Sequence, residues 1–365
     1  MKNAIKKSML GLTVLLLSTA LVGCSGDSAP ASGTSGGKQK VEVIAKGFQH
    51  DFWRAVESGA MKAGTEFGVE VTFVGPASET AIAEQVEMLN SAINRRPAAI
   101  ALAALDTNAS IDAITKAHKE GIPIIGFDSG VPGAPDGTIA ANAATDNYAA
   151  GELAAEKTYE EIKSQLAGTA SSPVRIGVVS QEVNSMSIYE RSAGFVEKIE
   201  TLLGEDANVG AENVSIIGHT RFSNGSKEDG ARVIIEVRVP AEVTDSAGRT
   251  EAQTLLNKQD LIAIFGSNEF GAKSIINADD GLSQGRIGNG VIAVGFDSGE
   301  LQQDAISSGR FFGSVTQDPV SIGYQAVRLA VSASKGEAVS DVDTGAKWYN
   351  KGNINDADIQ ALLYK

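Results

Sequence analysis

The sequence predicts an α/β protein with two similar lobes, each built around a parallel sheet. From residue 41 onward, apolar strands alternate with amphipathic helices. The pentapeptide Gly-Phe-Asp-Ser-Gly occurs at 126–130 and again at 295–299, and each copy directly follows an apolar strand. Shared turn chemistry is an alternative reason for two copies, but the recurring strand context favours two related lobes.

The N-terminal segment has the pattern of a secretion signal. Three lysines precede an apolar stretch at 9–22, which is shorter than the roughly 20 residues of a membrane span. The tetrad Leu21-Val22-Gly23-Cys24 resembles a bacterial lipobox, in which the chain is cut just before a cysteine that becomes acylated. We expect a lipoprotein signal peptide at 1–23, lipidation of Cys24 and a flexible tether at 24–40. An ordinary signal cleaved elsewhere is the alternative.

The first half of the remaining chain predicts repeated strand and helix units. A strand at 41–45 precedes a helix whose apolar positions step by three and four to Phe67, and Gly68 marks its end. The other predicted elements are a strand at 69–74, a helix with Ile82, Val86, Leu89 and Ile93, a strand at 98–105, a helix through Ile111 and Ile114, a strand at 122–127 and a short strand near Ile139. Such continuous apolar strands are typical of a parallel sheet covered on both faces.

The second half repeats the pattern. Helices are predicted from Tyr148 and through Phe195 and Ile199, and strands at 175–180, 213–219, 261–266 and 291–296. The stretch from Phe222 to Asn268 is longer than a single helix and turn, and the excess includes 237–249. We expect an insertion on the outer surface, and a role in partner choice is the alternative.

Charge and composition exclude several classes of function. The chain has 31 Lys+Arg and 45 Asp+Glu; without residues 1–23, which hold three lysines and no acid, the balance is 28 against 45, or −17. So acidic a protein is a poor nucleic-acid binder. One cysteine allows no internal disulfide, and three histidines show no zinc-site spacing. We therefore expect no metal and no cofactor.

Catalytic motifs are also lacking. The sequence has no nucleophile elbow between a strand and a helix, no HExxH, no Walker lysine and no GxGxxG after a strand. The sequence therefore predicts a binding protein and not an enzyme.

Polar and aromatic residues cluster where predicted strands end. Ligands of parallel α/β sheets bind at the carboxyl ends of strands. Carboxylates accept hydrogen bonds, amides donate and accept, arginine donates through a fixed fork, and aromatic faces cover apolar ring faces. This mixture suits a neutral polyhydroxylated ligand held between the lobes. The candidates are Phe52, Trp53, Asp128, Arg191, Asn268, Asp297 and Gln317.

Several candidates have structural alternatives. Trp53 begins the apolar stripe of its helix, so a core position is an equal alternative. Asp128 and Asp297 are also suited to cap following helices. Arg191 is otherwise a solvated helix residue paired with a nearby glutamate.

Residues 41–365 resemble the periplasmic-binding-protein type I superfamily, and within it the ribose-type sugar-binding lipoproteins that feed ABC importers. The resemblance rests on motifs that occur in the family's order. They are His50-Asp51-Phe52-Trp53, Asp128-Ser129, Arg191 ahead of Gly194-Phe195, Asn268-Glu269, Gly295-Phe296-Asp297 and Gln317-Asp318-Pro319.

Three positions depart from the family pattern or fit it weakly. His50 stands where the family usually has Asn or Asp, yet we expect it to face the ligand. Ser129 stands where ribose binders have an arginine, which puts ribose itself in doubt. Phe222 is the nearest match to the family's third aromatic residue.

The resemblance implies two Rossmann-like lobes joined by a three-strand hinge near 144–148, Gln317 and 346–349. The N-terminal lobe is then 41–144 plus 318–346, and the C-terminal lobe 145–317 plus 347–365. The implied ligand-binding residues are His50, Phe52, Trp53, Asp128, Ser129, Arg191, Phe222, Asn268, Asp297 and Gln317.

The implied function is that of a monomeric, lipid-anchored, extracytoplasmic protein that binds a monosaccharide and delivers it to an ABC permease. Two alternatives remain open. One is a receptor for a furanosyl signal such as autoinducer-2, because Phe-Asp-Ser resembles the tip in that receptor. The other is a sensor module that presents its ligand to a histidine kinase or a chemoreceptor.

Overall fold

The computed structural model describes residues 38–48, 50–168 and 171–364. The predicted signal peptide, Cys24 and most of the predicted tether lie outside these residues. Within the part of the chain that the structure describes, every helix is too short or too polar to cross a bilayer.

The first lobe contains a six-stranded parallel sheet with helices on both faces. Its elements are β1 (Lys40–Ile44), α1 (Asp51–Phe67), β2 (Glu70–Val74), α2 (Ile82–Arg95), β3 (Ala99–Leu102), α3 (Ile111–Lys119), β4 (Ile124–Phe127) and β5 (Ala141–Ala144), and later in the chain α9 (Pro319–Ser334) and β12 (Val342–Asp343). The strand order is β12-β5-β4-β3-β1-β2. Buried apolar clusters line both faces of the sheet, as the continuous apolar strands predict.

The second lobe contains a seven-stranded sheet. Its elements are α4 (Asn147–Ile162), β6 (Val174–Val179), α5 (Met186–Glu205), β7 (Val214–Gly218), β8 (Val233–Arg238), α6 (Asp245–Leu256), β9 (Leu261–Gly266), α7 (Glu269–Asp279), β10 (Ile292–Phe296), α8 (Glu300–Ser308), β11 (Gly313–Gln317), β13 (Ala346–Tyr349) and the short α10 (Ala357–Gln360). The strand order is β13-β11-β10-β9-β6-β8-β7. Only β13 pairs in the antiparallel sense among these strands.

The chain passes between the lobes three times: from β5 to α4, from β11 to α9, and from β12 to β13. Polar caps start the helices after the first two passages. Asp146 accepts the N–H of Ala149, and Asp318 accepts that of Ser321 with Pro319 at the first helical position. The two-lobed α/β fold with three connecting strands confirms the predicted fold class.

The predicted outer-surface insertion is wrong. The extra element is β8, which lies inside the sheet between β6 and β7 and pairs with both in parallel. Its sequence VIIEVR is mostly apolar, and its first five residues are buried. Such a run is stabilised at an interior position, so β7 becomes the edge strand.

Candidate binding site between the two lobes

A small cavity lies between the lobes at the carboxyl ends of their strands. It is lined by Lys46, His50, Phe52, Trp53, Glu79, Asp128, Ile188, Arg191, Asn268, Glu269, Asp297 and Gln317. Eight of the ten ligand-binding residues predicted from the sequence are in this set. The exceptions are Ser129 and Phe222.

Lys46 and Asp128 form the charged wall of the first lobe. They follow β1 and β4, and Lys46 Nζ lies 3.1 Å from Asp128 Oδ2. Lys46 also donates to Ser187 Oγ of the second lobe at 2.9 Å. Both charged side chains are almost fully buried. Each has lost its hydration shell, and the opposite charge of its partner offsets that cost.

Arg191 and Asp297 form the opposite wall. Arg191 Nη1 lies 3.4 Å from Asp297 Oδ2, and Arg191 Nε donates to Asn147 Oδ1 at 2.8 Å. The guanidinium also lies 4.1 Å from the ring centroid of Phe296. Gln317 Nε2 donates to Asp297 Oδ1 at 2.7 Å. Arg191 is therefore a buried member of the site and not a solvated helix residue.

The two walls meet around Arg191 and Asp128. Arg191 Nη2 lies 4.0 Å from Asp128 Oδ1 across the cavity. Burial raises the pKa of Asp297, against the opposing effects of Arg191 and Gln317. The second-lobe carboxylate therefore depends strongly on these donors to remain charged.

A series of hydrogen bonds centred on Glu79 forms another wall of the cavity. Glu79 Oε1 accepts from Trp53 Nε1 at 2.7 Å, and Glu79 Oε2 accepts from Gln181 Nε2 at 2.9 Å. Asn268 Nδ2 donates to Gln181 Oε1 at 2.7 Å. Burial alone would raise the pKa of Glu79, but the charges of His50 and Lys46 and these donors lower it. Glu79 is therefore an ionised group between the lobes.

His50 and Glu269 form a further contact between the lobes. His50 Nδ1 lies 3.5 Å from Glu269 Oε1. Burial acts to lower the pKa of His50, but the hydrogen bond to Glu269 and the charges of Glu79, Glu269 and Asp297 raise it to about 9. The imidazole is therefore a cation at neutral pH.

Phe52 and Trp53 supply the aromatic surface. Their rings meet edge to face with centroids 5.0 Å apart, and the Trp53 ring packs in the same way on Phe127 at 6.3 Å. Trp53 is only 2% exposed. It therefore belongs both to the core of the first lobe and to the cavity wall.

Asp128 and Asp297 have left-handed backbones, with φ of 54° and 75°. This conformation is uncommon outside glycine, and aspartate tolerates it better than most residues. Neither carboxylate caps the helix next in the chain. The helix after Asp128 is α4, which Asp146 caps, and the helix after Asp297 is α8, whose N-cap is Gly299 without a side-chain bond. Strained residues of this kind cluster at functional sites.

Ser129 and Phe222 have other contacts. Ser129 Oγ accepts the backbone N–H of Ser187 at 3.3 Å. Phe222 stacks on Tyr189 with centroids 5.5 Å apart. Phe222 follows β7, which β8 displaces to the edge of the sheet, and this places it away from the cavity.

Sequence reasoning missed Lys46, Glu79 and Ile188, and it quoted Glu269 only as the acid after Asn268. Lys46 lies two residues after the end of β1, and Glu79 lies in the loop after β2. The strand-end rule applied to every strand would have found both. Ile188 lies within α5 and carries no such signal.

The cavity offers hydrogen-bond donors and acceptors. Gln317 Oε1 is buried with no hydrogen-bond partner among the described residues, which is unusual because buried polar atoms are nearly always paired. No cluster of three or more metal-ligating side chains occurs in the part of the chain that the structure describes. The arrangement is suited to holding a polar molecule through several directed hydrogen bonds.

Comparison with known proteins agrees with this architecture. An ABC transporter, LacI family transcriptional regulator from Brachyspira murdochii is 37% identical, with a TM-score of 0.76 over 90% of this chain and 99% of that one. An ABC transporter solute binding protein from Agrobacterium vitis, solved with bound D-fucose, is 27% identical, with a TM-score of 0.74 over 89% and 100%. The ribose import binding protein of Haemophilus influenzae is 22% identical over 84% of this chain and 90% of its own length.

The family model of the periplasmic binding protein domain matches residues 41–338. The chain belongs to this family. The match spans both lobes, and the predicted resemblance is confirmed.

Proposed function

We propose that this periplasmic binding protein binds a monosaccharide, a pentose or a hexose, in the cavity between its lobes and delivers it to an ABC permease. The observation that carries the proposal is the cavity itself, in which buried carboxylates, amides, a guanidinium and two aromatic rings from both lobes surround one small space. Sugar hydroxyls both donate and accept hydrogen bonds, and these side chains supply both acceptors and donors for them.

Gln317 gives a specific point of recognition. Its Oε1 has no described partner, and a sugar hydroxyl that donates to it would remove an unpaired buried acceptor. The named ligands of two relatives agree with this chemistry, since one was solved with D-fucose and the other is a ribose import protein.

We propose hinge closure as the mechanism. Several contacts between described residues join the lobes around the cavity, among them those of Lys46 with Ser187, Glu79 with Gln181, His50 with Glu269, and Asp128 with Arg191. A ligand that bonds to both walls favours the closed state over an open one by those added contacts. The closed form would then dock on the permease. We propose no catalysis by this chain.

A thermal-shift screen against neutral pentoses, hexoses, polyols and autoinducer-2 tests the proposal. A ligand at a hundred times its dissociation constant stabilises by about 2.7 kcal/mol. We expect a clear rise in melting temperature with at least one monosaccharide, and loss of that rise in Gln317→Ala. No response to any carbohydrate would contradict sugar binding, and a response to autoinducer-2 alone would favour the signal receptor.

We also propose acylation of Cys24 as the membrane anchor. The support is the lipobox-like tetrad that ends at this cysteine. Metabolic labelling with a fatty acid should mark the full chain and fail to mark Cys24→Ala, which should leave the membrane fraction. Equal labelling of both would overturn the anchor.

A further inference from the structure

The C-terminal tail reaches the wall of the cavity. Tyr364 is only 7% exposed and belongs to the core cluster of the first lobe. Its ring lies edge to face with that of Phe52, with centroids 6.0 Å apart. Its backbone carbonyl accepts from Gln303 Nε2 of the second lobe at 2.8 Å. The tail therefore contacts both lobes.

The hydroxyl of Tyr364 lies between two groups of the second lobe. It donates to Glu269 Oε2 at 3.2 Å and accepts the backbone N–H of Ser298 at 3.3 Å. Glu269 Oε1 is the oxygen that faces His50. One carboxylate is thus held at one oxygen by the tail and at the other by the first lobe.

The space around Glu269 is closely fitted. A Cβ atom on Gly299 would lie 2.7 Å from Glu269 Cδ, so the last residue of the second pentapeptide leaves room for this carboxyl. Burial raises the pKa of Tyr364 well above its usual value, which keeps the hydroxyl protonated as a donor.

We propose that Tyr364 is a positioning residue of the binding cavity, because its hydroxyl holds the Glu269 carboxylate in place against His50 across the cleft. The proposal rests on the proposed function where it concerns affinity. The placement of Glu269 itself is independent of any ligand.

The test compares Tyr364→Phe, which keeps the ring and removes the hydroxyl, with Tyr324→Phe. Tyr324 is a matched control because its hydroxyl donates to Glu66 Oε1 at 2.9 Å on the helices α9 and α1, outside the cavity. Melting temperatures of both variants establish that they fold.

The first measurement is an NMR titration of the imidazoles without ligand. The chain has three histidines, and His50→Asn identifies the signal of His50. Glu269, Glu79 and Asp297 are the charged groups that raise its pKa. We expect Tyr364→Phe to lower the pKa of His50 toward its usual value, since Glu269 is no longer held, and Tyr324→Phe to leave it unchanged. An unchanged or higher pKa in Tyr364→Phe would overturn the proposal.

The second measurement is calorimetric binding of the sugar found in the screen. We expect Tyr364→Phe to raise the dissociation constant roughly tenfold, the factor typical of one hydrogen bond to a charged group, and Tyr324→Phe to have no effect. An unaltered constant in Tyr364→Phe would overturn its role in affinity. If the parent chain binds no sugar, the proposed function fails, while the titration still decides whether Tyr364 positions Glu269.

Discussion

The first copy of Gly-Phe-Asp-Ser-Gly follows β4 and the second follows β10, and their backbones have equivalent bonds. Each aspartate has a left-handed φ. The N–H of Asp128 donates to the carbonyl of Ala143 on β5, and that of Asp297 to the carbonyl of Val315 on β11. In both lobes the loop therefore directs a carboxylate into the same cavity.

The side chains of the two loops have different partners. Asp297 is held within its own lobe by Gln317, the N–H of Glu269 and Arg191. Asp128 has Lys46 in its own lobe and faces Arg191 of the other lobe at 4.0 Å. The serines differ in the same way, since Ser129 bonds to the N–H of Ser187 across the cleft and Ser298 to Thr316 within its lobe.

This difference indicates separate roles for the two loops. Separation of the lobes would break the contacts of the first loop with Arg191 and Ser187 and leave those of the second intact. The second loop is a fixed part of the site, and the first is the part that closure adds. A repeated sequence thus sets the backbone, while partners distant in the chain set the role.

Arg191→Ala should have the largest effect, because Arg191 faces both aspartates. Removing one member of a buried charged group costs roughly 3–5 kcal/mol, so we expect lower unfolding free energy and loss of measurable sugar binding. Denaturant unfolding and calorimetry measure these. Arg191→Lys keeps the charge without the fork and should be intermediate. Full affinity in both variants would contradict the site.

The pH dependence of the unfolding free energy should reveal the contribution of His50 to stability. The pKa of His50 is raised to about 9 in the folded state, so its stabilisation is complete below the unfolded pKa near 6.5 and is lost as pH rises through about 9. We expect a loss of up to about 3 kcal/mol. His50→Asn should flatten this part of the stability curve, whereas His118→Gln, at an exposed histidine on α3, should not.

Asp297→Asn and Asp128→Asn compare the two loops directly. We expect Asp297→Asn to lower the unfolding free energy by about 1–3 kcal/mol, because it disturbs three hydrogen bonds inside one lobe. Asp128→Asn should lower it less and should mainly weaken ligand binding. Thermal unfolding without sugar and calorimetry with sugar give the two quantities. Equal losses of stability would remove the distinction between a fixed and a closing loop.

Substitutions at the final glycines of the two loops, Gly130 and Gly299, should have the smallest effects. A Cβ on Gly299 would lie 2.7 Å from Glu269 Cδ, whereas a Cβ on Gly130 would lie 3.2 Å from Asn142 Oδ1 and 3.3 Å from Met186 Sδ. We expect Gly299→Ala to weaken sugar binding severalfold and Gly130→Ala to have a smaller effect, as measured by calorimetry. The reverse order would show that the Glu269 side tolerates displacement.

Much of the site could be predicted because its residues lie at strand ends. The lengths and apolar runs of the strands predicted most elements to within a few residues, and the family motifs placed eight side chains that do line the cavity. Lys46 and Glu79 occupy the same kind of position and were accessible to the same rule. The strand predicted at 98–105 is longer than the observed β3, which spans Ala99–Leu102. The apolar run continues past the end of the strand because the residues that follow are also buried.

Local sequence is sufficient to predict the alternation of strands and helices, the two related lobes and the carboxylate at the tip of each pentapeptide, because hydrophobic periodicity and turn chemistry act over a few residues. Only the folded structure shows that β8 lies inside the sheet, that Phe222 packs on Tyr189, and that Tyr364 contacts Glu269. These depend on strand pairing and on contacts between residues far apart in the chain, such as the 95 positions that separate Glu269 from Tyr364. No local sequence pattern predicts such contacts, because they form only once both lobes are folded.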